Sequence, residues 1–212
     1  MRLAGRKILY LVSEDWYFCS HRLPIARAAR DAGAEVLVAT RVRDHGHLIE
    51  TEGFRVIPIE LSRSGRNPFN DLATLIGLVR LYRRERPDIT HHVALKPALY
   101  GSVAAWLTGT PIMVNAFAGM GFVFISEGLF ARAVRPVVHA AFRFLLNRPA
   151  SQVIGQNPDD FALFAETVGV APSRITIIRG SGVDIEHYRP AREPDGAPVA
   201  VCVSRMLWDK GI

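Results

Sequence analysis

Short apolar runs alternate along the chain with segments whose apolar residues recur every three to four positions. The runs cover residues 7–12 (KILYLV), 34–39, 54–59, 88–93, 111–115, 152–155 and 174–178. Their consecutive positions are apolar, the pattern of strands buried on both faces. Helical spacing fills the gaps at residues 20–32, 45–52, 71–86, 97–107 and 159–168. The helix over 71–86 is the clearest. Leu72, Leu75, Ile76, Val79 and Tyr82 share one face, and Pro87 stops it. This alternation predicts an α/β fold: a doubly wound, Rossmann-like parallel sheet covered by helices, over residues 1–188. Residues 189–198 (RPAREPDGAP) are rich in proline, glycine and charge and read as a linker. The apolar run at 198–203 (PVAVCV) then reads as a buried strand, the first of a second α/β domain that takes in residues 199–212.

Composition fits this picture. The chain is 49% hydrophobic and 22% charged, an ordinary globular balance. At 212 residues it exceeds one standard domain of roughly 150, which leaves room for a large domain and part of another. The net charge of +6 favours phosphates, anionic lipid headgroups or nucleic acid without choosing among them. Cys19 and Cys202 lie in no metal-ligand spacing and read as free thiols of a reducing compartment. No apolar run approaches the roughly 18 residues of a membrane span. The expected place is the cytoplasm, or the cytoplasmic face of a membrane. The histidines and cysteines form no metal pattern, so no metal is expected. No Walker A loop, nucleophile elbow or RNA-binding motif is present, and no nucleic-acid partner is expected.

In a doubly wound sheet ligands bind at the carboxyl ends of the strands, so the loops there carry the candidate chemistry. The first such loop, SEDWYFCSHR, lacks the glycines of a dinucleotide-binding turn. Ser20 fits a helix N-cap, with His21 and Arg22 in the first helical turn facing a ligand. The plainer reading has Trp16 and Phe18 packed and Arg22 solvated. Lys96 precedes Pro97 at a helix start and suits an anion. Neighbouring His91 and His92 must point to opposite faces of their strand. His92, nearer the strand end, is the choice for the pocket, against the commoner fate of a hydrogen-bonded core histidine. Gly119 and Gly121 flank one residue, as in a turn or a close backbone approach to a ligand. Residues 128–158 contain no acidic residue. A helix opened by Pro136 stacks Arg135, His139 and Arg143 on one face, a basic surface suited to anionic membrane or to a solvated rim. Arg205 and Lys210, five apart after the last apolar run, could clamp a diphosphate or stand in solvent.

Taken in order, the segments EDWYFCSHRLPIARAARDAGAEV, DITHHVALKPALYGSVAA, NAFAGMGFVF, IGQNPDD, RGSGVD and SRMLWDKGI resemble the N-terminal part of family 4 glycosyltransferases. These have the GT-B architecture of two facing Rossmann-like domains, and the likeness is closest to the bacterial branch that extends polyprenyl-diphosphate-linked sugars. The resemblance implies a retaining, metal-free transferase using a nucleotide-sugar donor, expected to be a UDP-sugar, and a polyprenyl-diphosphate-linked glycan acceptor. It implies that Arg205 and Lys210 hold the donor diphosphate and that His92 lies beside the reacting sugar. It places His21, Arg22, Lys96, Gly119 and Gly121 on the acceptor side, and Gly182 and Asp184 ahead of the crossing between domains. It also implies a chain cut shortly into its second domain and inactive alone. The alternatives are a nucleotide-sugar epimerase of the same architecture and a non-catalytic basic lipid-binding module.

Overall fold

The computed structural model describes residues 3–61, 68–117, 128–186, 188–193 and 195–204. Residues up to Ser181 form one compact unit. Its element order is β1 (Lys7–Glu14), α1 (Asp15–His21), α2 (Leu23–Asp31), β2 (Glu35–Arg41), α3 (Gly46–Thr51), β3 (Arg55–Pro58), α4 (Pro68–Glu85) and β4 (Ile89–Val93). It continues with α5 (Leu95–Thr108), β5 (Ile112–Ala116), α6 (Leu129–Leu146), β6 (Ser151–Gly155), α7 (Pro158–Ala162), a π-helical segment Leu163–Val168 and β7 (Ile175–Ile177).

The strands form one seven-stranded sheet in the order β3-β2-β1-β4-β5-β6-β7. Every pairing is parallel. Each of the seven apolar runs thus becomes a strand, as the doubly wound reading requires. Alternation along β1 sends Ile8, Tyr10 and Val12 to one side, where they meet Phe18 of α1, Ala26 of α2 and Ile49 of α3. Leu9 and Leu11 go to the other side and meet Leu78, Leu81 and Tyr82 of α4 and Ala104 of α5. On that second side Val153 and Ile175 pack against Val138 and Phe142 of α6 and Phe164.

Two helices depart from their expected form because of proline. The helix expected over 20–32 is two, joined at Arg22. Pro24 stands at the second position of α2, where its missing N–H costs nothing. In a continuous helix it would clash with the carbonyl of Ser20. Ser20 therefore sits in the last turn of α1 and is not an N-cap; Gly33, at φ +94° and with Ala4 Cα 2.9 Å from where a Cβ would stand, ends the chain's run after α2. Conversely, Pro136 does not open its helix. α6 begins at Leu129 and Pro136 lies inside it, on the exposed side where water can satisfy the carbonyl left unpaired.

From Gly182 the chain forms a separate unit. Its described residues form no strand or helix, and Val199, Val201 and Val203 are exposed. The buried strand expected over 198–203 is therefore not formed there. A strand holds only against a neighbour that takes up its N–H and C=O groups, and no pairing involves these residues among those described. Gly182 adopts φ +70°, and the Asp184 carboxylate accepts the Glu186 N–H at 2.9 Å, so these two residues build a local turn.

Candidate active site

Strand order reverses between β1 and β4: from β1 the chain moves outward to β2 and β3, then returns to β4 on the other side. At the carboxyl ends of β1 and β4 lies a small crevice lined by Val12, Ser13, Glu14, Tyr17, Val93 and Ala94.

Two carboxylates fix the β1 wall. Glu14, the last residue of β1, is paired with Arg41 at the end of β2, and Arg43 Nε lies 3.5 Å from its other oxygen. Asp15 is fully buried. One of its oxygens accepts the N–H of Trp16 at 2.7 Å; the other accepts those of Arg43 at 2.6 Å and His45 at 2.9 Å. Burial pushes the Asp15 carboxyl up, but the three backbone donors outweigh it and hold the pKa below the usual carboxylate value. The loop after β2 thus hangs from a charged group at the start of α1.

The opposite wall carries backbone strain. Ala94 adopts φ +78° and ψ +168°, a region that suits glycine alone. Its N–H donates to the Ala116 carbonyl and its carbonyl accepts from Ala98, both at 2.9 Å. It is held from both sides, and it opens α5 at the crevice, so the first N–H groups of that helix start there.

The sequence-derived candidates separate. His21 does not line the crevice but stacks on Tyr17, which does, with ring centroids 4.2 Å apart, and its Nδ1 lies 2.6 Å from the Ser20 hydroxyl. Burial and then the Arg22 charge lower its pKa. Arg22 does not lie in a first helical turn. It sits half-buried at the joint of α1 and α2, its buried Nε has no hydrogen-bond partner among the described residues, and burial lowers its pKa. Lys96 does not stand before the helix but in the first turn of α5, its Nζ 2.8 Å from Asp71 Oδ1.

His92 is the larger correction. It is wholly buried, with Nδ1 2.8 Å from Asn115 Oδ1 and Nε2 3.1 Å from the Tyr82 hydroxyl. Burial drives its pKa down to about 4. In this structure the core reading holds, and no face of the ring is open to a sugar. His91, on the crevice-ward side of the sheet with Tyr10, stacks on that ring at 5.0 Å. Burial takes its pKa to about 3, and its Nε2 has no partner among the described residues.

The stripe Arg135, His139 and Arg143 also divides. Each step of four residues overshoots a turn by about 40°. Arg135 and His139 consequently lie half-buried at the packed edge of α6, while Arg143 is exposed. Burial and then Arg135 lower the His139 pKa. Gly119, Gly121, Arg205 and Lys210 lie outside the described residues. Among those described, no group of three or more His, Cys, Asp or Glu could hold a metal ion. The residues that sequence reading passed over are Glu14, Asp15, Tyr17 and Ala94. An acidic pair directly after an apolar strand was the available signal.

A seven-stranded parallel sheet with a crevice at its switch point defines a Rossmann-like domain. The chain belongs to the glycosyl transferase 4-like family, which matches residues 7–157. It is 26% identical over 204 residues to the N,N'-diacetylbacillosaminyl-diphospho-undecaprenol alpha-1,3-N-acetylgalactosaminyltransferase of Campylobacter jejuni, covering 90% of this chain and 54% of that protein. It is 28% identical over 121 residues to the UDP-Gal:alpha-D-GlcNAc-diphosphoundecaprenol alpha-1,3-galactosyltransferase of Escherichia coli, covering 57% of this chain and 30% of that one. The chain thus spans about half the length of the first relative and less of the second. The fold is shared with Anabaena HepE, solved with UDP and glucose, at a TM-score of 0.61 and 19% identity over 88% of this chain and 47% of that one.

Proposed function

We propose that the protein containing this chain transfers a sugar from a nucleotide diphosphate sugar to a polyprenyl-diphosphate-linked acceptor, and that this domain supplies the acceptor side. The observation that carries the reading is the family match over residues 7–157, which takes in both walls of the crevice. The two relatives named above support the acceptor class, since each acts on a sugar linked to undecaprenol through diphosphate by its name. In this reading Tyr17 and His21 offer a stacked aromatic surface to a sugar ring, and Glu14, fixed by Arg41 and Arg43, offers an acceptor for a sugar hydroxyl. The α5 N-terminus supplies positive potential near the reacting end. Arg205 and Lys210 would clamp the donor diphosphate, a UDP-sugar diphosphate by this proposal, with no metal and with retention at the anomeric carbon. In this proposal the protein works at the cytoplasmic face of a membrane, a reading that the lipid-linked acceptors in the relatives' names support as far as the membrane itself.

An epimerase shares the fold but needs no acceptor. The purified protein is to be incubated with UDP-sugars, with and without a polyprenyl-diphosphate-linked sugar, and with a chelator. Acceptor-dependent, chelator-resistant extension of the lipid-linked sugar supports the proposal. Isomerisation of the free nucleotide sugar without acceptor overturns it.

A further inference from the structure

The outward face of α6 is apolar. Leu129, Val137 and Phe144 are 84%, 68% and 51% exposed, and the exposed Ala133, Pro136 and Ala140 lie between them. At 100° per residue all six fall within one arc. The opposite arc, with Ala131, Val138, Phe142 and Leu145, is buried in the core. The helix is therefore apolar on both sides, which for a helix at a protein surface calls for a second apolar or interfacial medium.

Charge along this face has one sign. The exposed Arg132 and Arg143 run down one edge of the arc, and residues 128–158 contain no Asp or Glu. At the C-terminal end Phe144 meets Trp106 of α5 edge-on, with centroids 5.2 Å apart. The Arg148 guanidinium lies 5.2 Å from the Phe144 ring and 5.7 Å from the Trp106 ring. Trp106 and the adjoining Leu107 are exposed as well. A tryptophan with an arginine beside it, at the rim of an apolar strip, suits the boundary between acyl chains and headgroups.

We propose that this face, α6 with the C-terminal end of α5, docks flat on an anionic lipid bilayer. Among the described residues no helix is long and apolar enough to cross a membrane, so the helix lies in the interface with its arginines at the headgroups. A second copy is the poorer occupant: pairing through this face would set arginines against a surface with no acidic partner. The stripe of Arg135 and His139 is not the docking surface, because both residues turn to the packed edge. The inference extends the reading of a lipid-linked acceptor, on which its purpose rests, but its surface is argued without it.

The test is co-sedimentation of the purified protein with vesicles of phosphatidylcholine alone and of phosphatidylcholine with phosphatidylglycerol. Binding should favour the anionic vesicles and weaken with salt. Arg132→Gln with Arg143→Gln should reduce it roughly 25-fold at low salt, about fivefold for each arginine. Val137→Ser with Phe144→Ser should reduce it about tenfold or more at any salt. Arg80→Gln with Arg83→Gln, exposed arginines on α4, should leave it unchanged. Circular dichroism checks that each variant is folded. Equal loss in the α4 control, or unchanged binding in both α6 pairs, overturns the proposal. So does a change of oligomeric mass, by sedimentation velocity, in place of a change in vesicle binding. Vesicle binding by a protein that transfers nothing to a lipid-linked sugar would sink the acceptor reading and leave the docking face standing.

Discussion

His92 and Asn115 face each other across β4 and β5, paired in register, with Nδ1 2.8 Å from Oδ1. Asn115 Oδ1 also accepts from the Ser102 hydroxyl at 2.9 Å, and the Tyr82 hydroxyl lies 3.1 Å from His92 Nε2. With Nδ1 protonated, the neutral imidazole donates to Asn115 and accepts from Tyr82. Both ring nitrogens are then satisfied, as a buried ring requires.

Burial of His92 and its neighbour His91 predicts an acid-labile fold. His91 and His92 have native pKa values near 3 and 4, against 6.5 unfolded. Above pH 6.5 both are neutral in either state and contribute no pH dependence. Below it the unfolded chain takes up protons that the native chain refuses, so stability falls as pH falls. The loss is about 1.4 kcal/mol per pH unit for each histidine until the native values are reached. Urea unfolding between pH 7 and 4.5 checks this, and His92→Gln should remove about half of the slope.

Replacing His92 by Ala should cost about 2–4 kcal/mol of stability, because it leaves the buried Tyr82 hydroxyl without its partner, takes one of two donors from Asn115 Oδ1 and opens a cavity in the core. Gly101 tests the same packing from the other side. A Cβ there would stand 2.5 Å from His92 Cδ2, so Gly101→Ala should destabilise by about 1–3 kcal/mol. Thermal unfolding reads both. A His92→Ala protein of unchanged stability but abolished transfer would restore the histidine to the reaction.

Much of the fold was legible because its strands are buried on both faces and its helices are amphipathic, two periods that survive in a single sequence. The limits of that reading are as specific. His91 and His92 differ only in the face they take, and which face holds a pocket depends on helices far away in sequence. Ser20 resembles an N-cap only while Pro24, about one turn further on, is not taken as the breaker of a helix that begins at Asp15. The Arg135, His139 and Arg143 stripe followed the spacing of four and ignored its drift. Ala94 left no signal at all, since an alanine in a glycine conformation is imposed by β4, β5 and α5 together.

Relieving that conformation should raise stability. Ala94→Gly is expected to stabilise by about 1 kcal/mol, the strain outweighing the added freedom of the unfolded chain, whereas Ala94→Val should destabilise by more. Differential scanning calorimetry distinguishes the two. A fall in stability for the glycine variant would show that Ala94 carries no net strain.

Asp15→Asn removes the charge but keeps one acceptor oxygen for the N–H groups of Arg43 and His45. It should cost about 1–3 kcal/mol at neutral pH. Because the native pKa of Asp15 is lowered, this contribution is present above the unfolded value and is lost as pH falls through the native one. Wild-type and variant stabilities, measured by urea unfolding, should therefore converge on acidification.

The acceptor role of the β1/β4 crevice is tested most directly by steady-state kinetics of Tyr17→Ala, with folding checked by circular dichroism. Loss of the ring that lines the crevice and carries His21 should raise KM for the lipid-linked acceptor about tenfold or more and leave KM for the nucleotide sugar unchanged. An unchanged acceptor KM, or a rise confined to the donor, would contradict the assignment.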